Sequence, residues 1–163
     1  MRCLALVVVI AGCSGGKSAA PATNPWRTAK LGSVYESRSI TRMQKPFEHT
    51  TESTTKQTLL ARTATAATVK LELSEGSSTS SQDVTIALRE DAPAPHDGSS
   101  ITKSEETCTV PAGTFHCTRI SVELGETSSM VTWTTARVPV PLRSIVTNDS
   151  MTITSELVRV AER

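Results

Sequence analysis

Thr68-Val69-Lys70-Leu71-Glu72-Leu73-Ser74 alternates apolar and polar side chains at every step, and Val84-Thr85-Ile86-Ala87-Leu88 does so again. A period of two places Val69, Leu71 and Leu73 on one face of an extended chain, and Val84, Ile86 and Leu88 likewise. That pattern is a half-buried strand. Outward from these two segments it recurs at Ser33–Met43, Ile101–Val110, Thr114–Leu124, Ser128–Val138, Leu142–Thr147 and Ser150–Val160. No segment keeps a 3.6-residue period. Ser74–Asp83 is rich in Ser and reads as a loop. Asp91–Ser100, with two prolines and Asp97-Gly98, reads as a second loop, and Asn148-Asp149 as a turn. Glu48–Thr63 is Thr-rich and ambiguous, with room for one short helix between Glu48 and Leu60. Eight or nine antiparallel strands follow. The expected fold is all-β: a single strongly curved antiparallel sheet, a half-barrel or a barrel.

Composition agrees. The chain holds 25 Thr and 20 Ser among 163 residues, and only five aromatics: Trp26, Tyr35, Phe47, Phe115 and Trp133. Thr and Val favour extended backbone because two heavy atoms on Cβ stiffen χ1. The core must come from Val, Ile, Leu, Met and Ala.

The first residues have a different character. Arg2 is a positive start, Leu4–Ile10 an apolar run, and Ile10-Ala11-Gly12-Cys13 an aliphatic residue, two small residues and a cysteine. The apolar stretch from Cys3 to Ala11, about nine residues, suits a secretory leader and is too short to cross a ~30 Å hydrocarbon core as a helix. The four residues before Ser14 resemble the lipobox of bacterial lipoproteins. The resemblance implies a signal peptide over 1–12, cleavage before Cys13, and acyl chains on Cys13 as the membrane anchor. Ser14, where an Asp would stand in a retained protein, resembles the sorting signature for the outer membrane of Gram-negative bacteria. Residues 13–25 are then the lipidated cysteine and a flexible tether of Gly, Ser, Ala, Pro, Thr and Asn, and 26–163 a single β-domain.

Charge narrows the partners. The chain has 17 Lys and Arg against 16 Asp and Glu, and Arg2 belongs to the leader. Balanced charge without a basic cluster argues against nucleic acid. Acyl chains hold a protein at a membrane without a polybasic patch, at roughly 0.8 kcal/mol per buried methylene.

The segment Glu106-Thr107-Cys108-Thr109-Val110-Pro111-Ala112-Gly113-Thr114-Phe115-His116-Cys117-Thr118-Arg119 is the most specific in the domain. A turn centred on Ala112-Gly113 sets Val110 opposite Phe115, Cys108 opposite Cys117 and Glu106 opposite Arg119, with good side-chain matching. A turn at Pro111-Ala112 with Gly113 in a bulge sets Val110 opposite Thr114 and sends the cysteines to opposite faces, with better turn chemistry. In the first register, and in an oxidising compartment, Cys108 and Cys117 form a cross-strand disulfide. Cys108, Cys117 and His116 lack the further ligand that a structural zinc needs.

Val110-Pro-Ala-Gly-Thr-Phe115, with Cys117 and a later strand carrying Trp133, is similar to a recurrent pattern in uncharacterised bacterial lipoproteins of the cell envelope. The likeness extends from about Trp26 to the end. It implies a curved sheet like the half-barrels of lipoprotein carriers and their receptors, and it transfers no catalytic residues.

Catalytic signatures are absent from the sequence. There is no Gly-x-Ser-x-Gly, no His-Glu-x-x-His and no phosphate loop, and His49, His96 and His116 lie in separate segments. The expectation is a non-catalytic protein with no cofactor and no metal. Trp26 and Trp133 are the candidates for ligand contact, Trp133 reading first as core. Two functions remain: a binding module for a lipid or other apolar ligand on the curved sheet, or a structural or protein-protein interaction lipoprotein of the outer membrane.

Overall fold

The computed structural model describes residues 24–44, 46, 48–88, 100–125 and 127–162. The expected signal peptide, Cys13, nearly all of the tether, His96 and the loop before Ser100 lie outside the described residues. Those described form a 3-10 turn (Pro25–Arg27) and nine strands: β1 (Val34–Met43), β2 (His49–Arg62), β3 (Ala66–Glu75), β4 (Ser78–Ala87), β5 (Ser100–Val110), β6 (Gly113–Glu123), β7 (Ser129–Thr135), β8 (Val138–Asn148) and β9 (Met151–Ala161).

All nine belong to one antiparallel sheet in the order β4-β3-β2-β1-β9-β8-β7-β6-β5. Every strand is bonded to its neighbour in sequence except β4 to β5, and β9 returns to pair with β1. The sheet is thus a meander open at one seam, with β4 and β5 as its edges. It does not close into a barrel.

Two sequence expectations change, and one stretch without an assignment becomes strand. The short helix between Glu48 and Leu60 is absent: the segment is the middle of β2, paired with β1 on one side and β3 on the other. Its β-branched threonines fit a pleated surface better than a helix. The loop expected over Ser74–Asp83 shrinks to a turn at Gly76-Ser77, because Glu75 pairs with Ser78 and the ladder continues to Ala87. Gly76 takes φ 56°, which the tight turn requires. The serine-rich first half of β4 needs no apolar face, since an edge strand is held by its backbone bonds to β3. Finally, Val138-Pro-Val-Pro-Leu142 is the first half of β8. Val138, Val140 and Leu142 are buried. The two prolines fall where β8 runs without β7, past the register shift between Trp133 and Thr135, so no ladder bond is lost.

The core gathers at one end of the sheet. Trp26, Tyr35, Leu59, Ala67, Val69, Leu88, Val138, Val140, Leu142 and Leu157 are buried in one cluster with Cys108, Val110 and Cys117. Trp26 meets Tyr35 edge to face at 5.6 Å, and the 3-10 turn that carries it lies against β8. Arg62 Nη1 donates to the carbonyl of Ala29 at 2.6 Å, which ties the segment after the turn to β2. On the other side of the cluster the tip of the β5–β6 hairpin reaches β9, where Ala112 N donates to Leu157 O at 3.2 Å. Each aliphatic side chain buried here contributes roughly 1.5–3 kcal/mol.

That hairpin takes neither expected register. Val110 pairs with Gly113, Thr109 with Thr114, Cys108 with Phe115 and Glu106 with Cys117. Turn chemistry decides it. Pro111 supplies the fixed φ of a first turn residue, Ala112 completes a two-residue loop, and Gly113 accepts φ 139°. Cys108 and Cys117 share a face but stand diagonally, and Arg119 faces Ser104 rather than Glu106. Both cysteines are buried free thiols. The two thiols still meet across that diagonal, close enough to hydrogen-bond, so the directly opposed pairing expected for a bridge is replaced by a diagonal one.

Candidate functional site

Away from the core the strands pair without interruption, so side chains can be assigned to faces by alternation. On β9 one face carries Leu157, Ser155, Ile153 and Met151. On β8 the same face carries Leu142, Ser144 and Val146. Leu142 and Leu157 are fully buried core residues. The next tier is hydroxylic: Thr132, Ser144, Ser155, Ser39 and Ser53 stand side by side across β7, β8, β9, β1 and β2. The tier after that is apolar: Ile101, Val122, Met130, Val146 and Ile153 form an unbroken row across β5, β6, β7, β8 and β9. Met43 and Met151 pair beside its end.

This apolar row differs from the core. None of its members joins the buried cluster or packs against it. Val122, Met130, Val146, Met151 and Ile153 are half-buried, and Ile101 and Met43 are 38% and 43% exposed. Five adjacent strands at ~4.8 Å spacing make the row about 19 Å long. Past its end the turn between β1 and β2 borders an open groove of about 610 Å³, lined by Arg42, Met43, Gln44, Glu48, His49 and Thr50.

The side chains of the hydroxyl tier differ in their partners. Ser39 and Ser155 bond each other at 2.7 Å. Thr132 is 1% exposed and its Oγ1 has no hydrogen-bond partner. A buried hydroxyl without a partner costs about 1–3 kcal/mol.

The opposite face carries charge at the same level. Arg119, Trp133, Arg143, Glu156 and Arg38 are successive cross-strand neighbours. The guanidinium groups of Arg119 and Arg143 each lie 5.7 Å from the Trp133 ring centroid, within cation–π reach. Trp133 Nε1 donates to Glu106 at 2.5 Å. Arg143 Nε donates to Glu156 at 2.8 Å, and its Nη2 to Thr109 O at 3.2 Å. Arg38 pairs with Glu52 at 2.7 Å, which holds the Glu52 carboxyl below its usual range. This ladder is internally satisfied and fastens the hairpin to β7 and β8.

Trp133 is thus half-buried between two arginines on the charged face, and Trp26 is buried against Tyr35. Neither stands on the apolar row. Among the histidines, His116 is exposed on the outer hairpin face, 3.6 Å from Glu105, and His49 lines the groove. Cys108 and Cys117 lie in the core. Burial first, then the hydrogen bond to Cys108 and the nearby Glu106 and Glu105, push the Cys117 thiol up to about 12. It stays protonated at neutral pH and is a poor nucleophile. Among the described residues no three His, Cys, Asp or Glu side chains are grouped to hold a metal ion, and no helix is long and apolar enough to cross a membrane.

Sequence reading missed the apolar row. Ile101, Val122, Met130, Val146 and Ile153 each appear as one apolar residue at the far end of an alternating strand. The signal that unites them is the register of four hairpins. A scan against protein-family models finds no match for this chain, and a search of the curated proteins finds none either.

Proposed function

We propose that this protein is a bacterial cell-envelope lipoprotein, anchored through acyl chains on Cys13, whose open sheet is a non-catalytic binding module for a lipid or other apolar ligand. The observation that carries the reading is the row Ile101–Val122–Met130–Val146–Ile153. It is continuous, apolar, partly open to solvent, and separate from the core. An acyl chain laid along it removes apolar surface of both partners from water, at ~25 cal/mol per Å². The hydroxyl tier beside the row offers the half-buried Ser144 to a polar headgroup. The lipobox resemblance supports the envelope setting, where such ligands are at hand.

The test is extraction of the purified full chain with organic solvent, with mass spectrometry of what is released. A stoichiometric lipid is expected from the wild type. Met130→Lys, which sets a charge in the middle of the row, should release at least tenfold less while keeping its β-sheet circular dichroism. Equal lipid from both proteins, or none from either, overturns the reading. The second reading, a structural or interaction lipoprotein, is favoured by the two edges β4 and β5, whose outer sides pair with no described strand. Absence of lipid together with a stoichiometric envelope protein in pull-downs would select it.

A further inference from the structure

We propose that β5 is the two-fold seam of a homodimer, pairing antiparallel with β5 of a second copy about an axis through Ser104.

The outer side of β5 pairs with no described strand, and every residue from Ser100 to Thr107 is exposed. A two-residue loop makes Val110 and Gly113 a hydrogen-bonded pair, so Val110, Cys108, Glu106, Ser104 and Thr102 turn their backbone groups toward β6. The odd-numbered residues then turn theirs outward. Thr109 confirms this, since its carbonyl accepts from Arg143 Nη2 on the far side. Ile101, Lys103, Glu105 and Thr107 are left as a free edge of alternating donors and acceptors, the form in which a sheet recruits another strand.

Charge selects both the occupant and the register. About an axis at Ser104, Lys103 of one copy meets Glu105 of the other, and the symmetry repeats the pair on the opposite side of the axis. Ile101 meets Thr107 in the same way. All of these are outward-facing residues, so backbone bonds and ion pairs form together. One step away in either direction the match fails: an axis at Lys103 sets lysine against lysine, and an axis at Glu105 sets glutamate against glutamate. Opposed like charges destabilise a cross-strand pair. Glu105 already accepts from Thr118 Oγ1 at 2.7 Å, yet a carboxylate has lone pairs for more donors. The other edge lacks such a code. β4 carries Asp83 as its only charge, and nothing on it fixes a register. An isologous contact of this kind closes on itself, as a two-fold dimer requires.

The experiment uses the full chain in the membranes of a bacterial host and does not depend on the ligand reading. Ser104 would face its own copy as a non-hydrogen-bonded pair, with Cα atoms ~4.5 Å apart, a spacing that suits a disulfide. Ser104→Cys, oxidised with a copper catalyst and air, should give a dimer-sized band that reductant removes. Ser80→Cys on β4 should give at least tenfold less. Adding Lys103→Glu to Ser104→Cys should cut the band at least tenfold, and adding Glu105→Lys as well should restore it. No band from Ser104→Cys, an equal band from Ser80→Cys, or failure of the charge swap to restore it would overturn the proposal. If the cysteine variant does not accumulate, light scattering of the unaltered chain in detergent decides: two chains per particle support the seam, and one refutes it.

Discussion

The two ends of the same sheet face share a backbone but not a fate. At one end Leu142 and Leu157 are fully buried beside Tyr35 and Leu59. At the other, two tiers along the same strands, Val146, Ile153 and Met151 are only half-buried and Met43 is exposed. Similar side chains on a similar pleat differ because the first end is covered and the second is not. The 3-10 turn with Trp26, the inward half of β8 and the β5–β6 tip all converge on the first end. Apolar surface kept uncovered in a folded domain marks a contact site more often than a defect. The stabilising end and the binding end are thus separate, and a substitution should report which end it touches.

The largest contrast expected is between Leu157→Ala and Ile153→Ala on the same face of β9. Leu157 is fully buried in the core cluster, so truncation should cost about 2–5 kcal/mol. Ile153 is half-buried outside the core, and its loss should cost about 1 kcal/mol. Urea denaturation of both variants measures the difference. Equal costs would break the division of the face into two ends.

Alkaline pH probes the core end alone. The Cys117 thiol is pushed from 9.0 up to about 12, first by burial. Burial also raises the Tyr35 phenol. Both groups hold their protons more tightly folded than unfolded. Their contribution is therefore complete below pH 9 and is lost as pH rises toward 12. Chemical denaturation between pH 8 and 11 should show a falling midpoint, and Cys117→Val should flatten the slope. An unchanged slope in that variant would mean that the thiol is not the group that titrates.

How much of this was legible beforehand depends on which interaction decided each feature. The strands around Val69 and Val84 could be read because burial of one face imposes a period of two. The first half of β4 could not, since Ser78–Gln82 is held by backbone bonds to β3 that leave no pattern in side chains. The hairpin register depended on one residue of loop length, and the attraction of Val110 for Phe115 lost to the conformational demands of Pro111 and Gly113. Trp133 reads first as core, and it is half-buried and packed against the core cluster. Its clamp between Arg119 and Arg143 was not legible, because those residues lie on three strands. The apolar row was hidden for the same reason: each strand supplies one or two of its side chains, and only register aligns them.

The smallest effect expected lies on the hydroxyl tier, where the two ends meet. Thr132 and Ser155 stand two strands apart in one row, but only Ser155 has a partner, the Ser39 hydroxyl. The Thr132 hydroxyl is buried and has none. Thr132→Val keeps the branched shape and removes the orphaned group, so it should stabilise the protein by about 1 kcal/mol. Ser155→Ala breaks a bond and strands Ser39, so it should destabilise by a similar amount. Urea midpoints of the two variants should therefore move in opposite directions from wild type. Because the Thr132 hydroxyl is sealed from solvent, its gain should be the same in protein stripped of lipid and in protein purified with lipid bound. A gain that differs between the two preparations would mean that this hydroxyl meets the ligand.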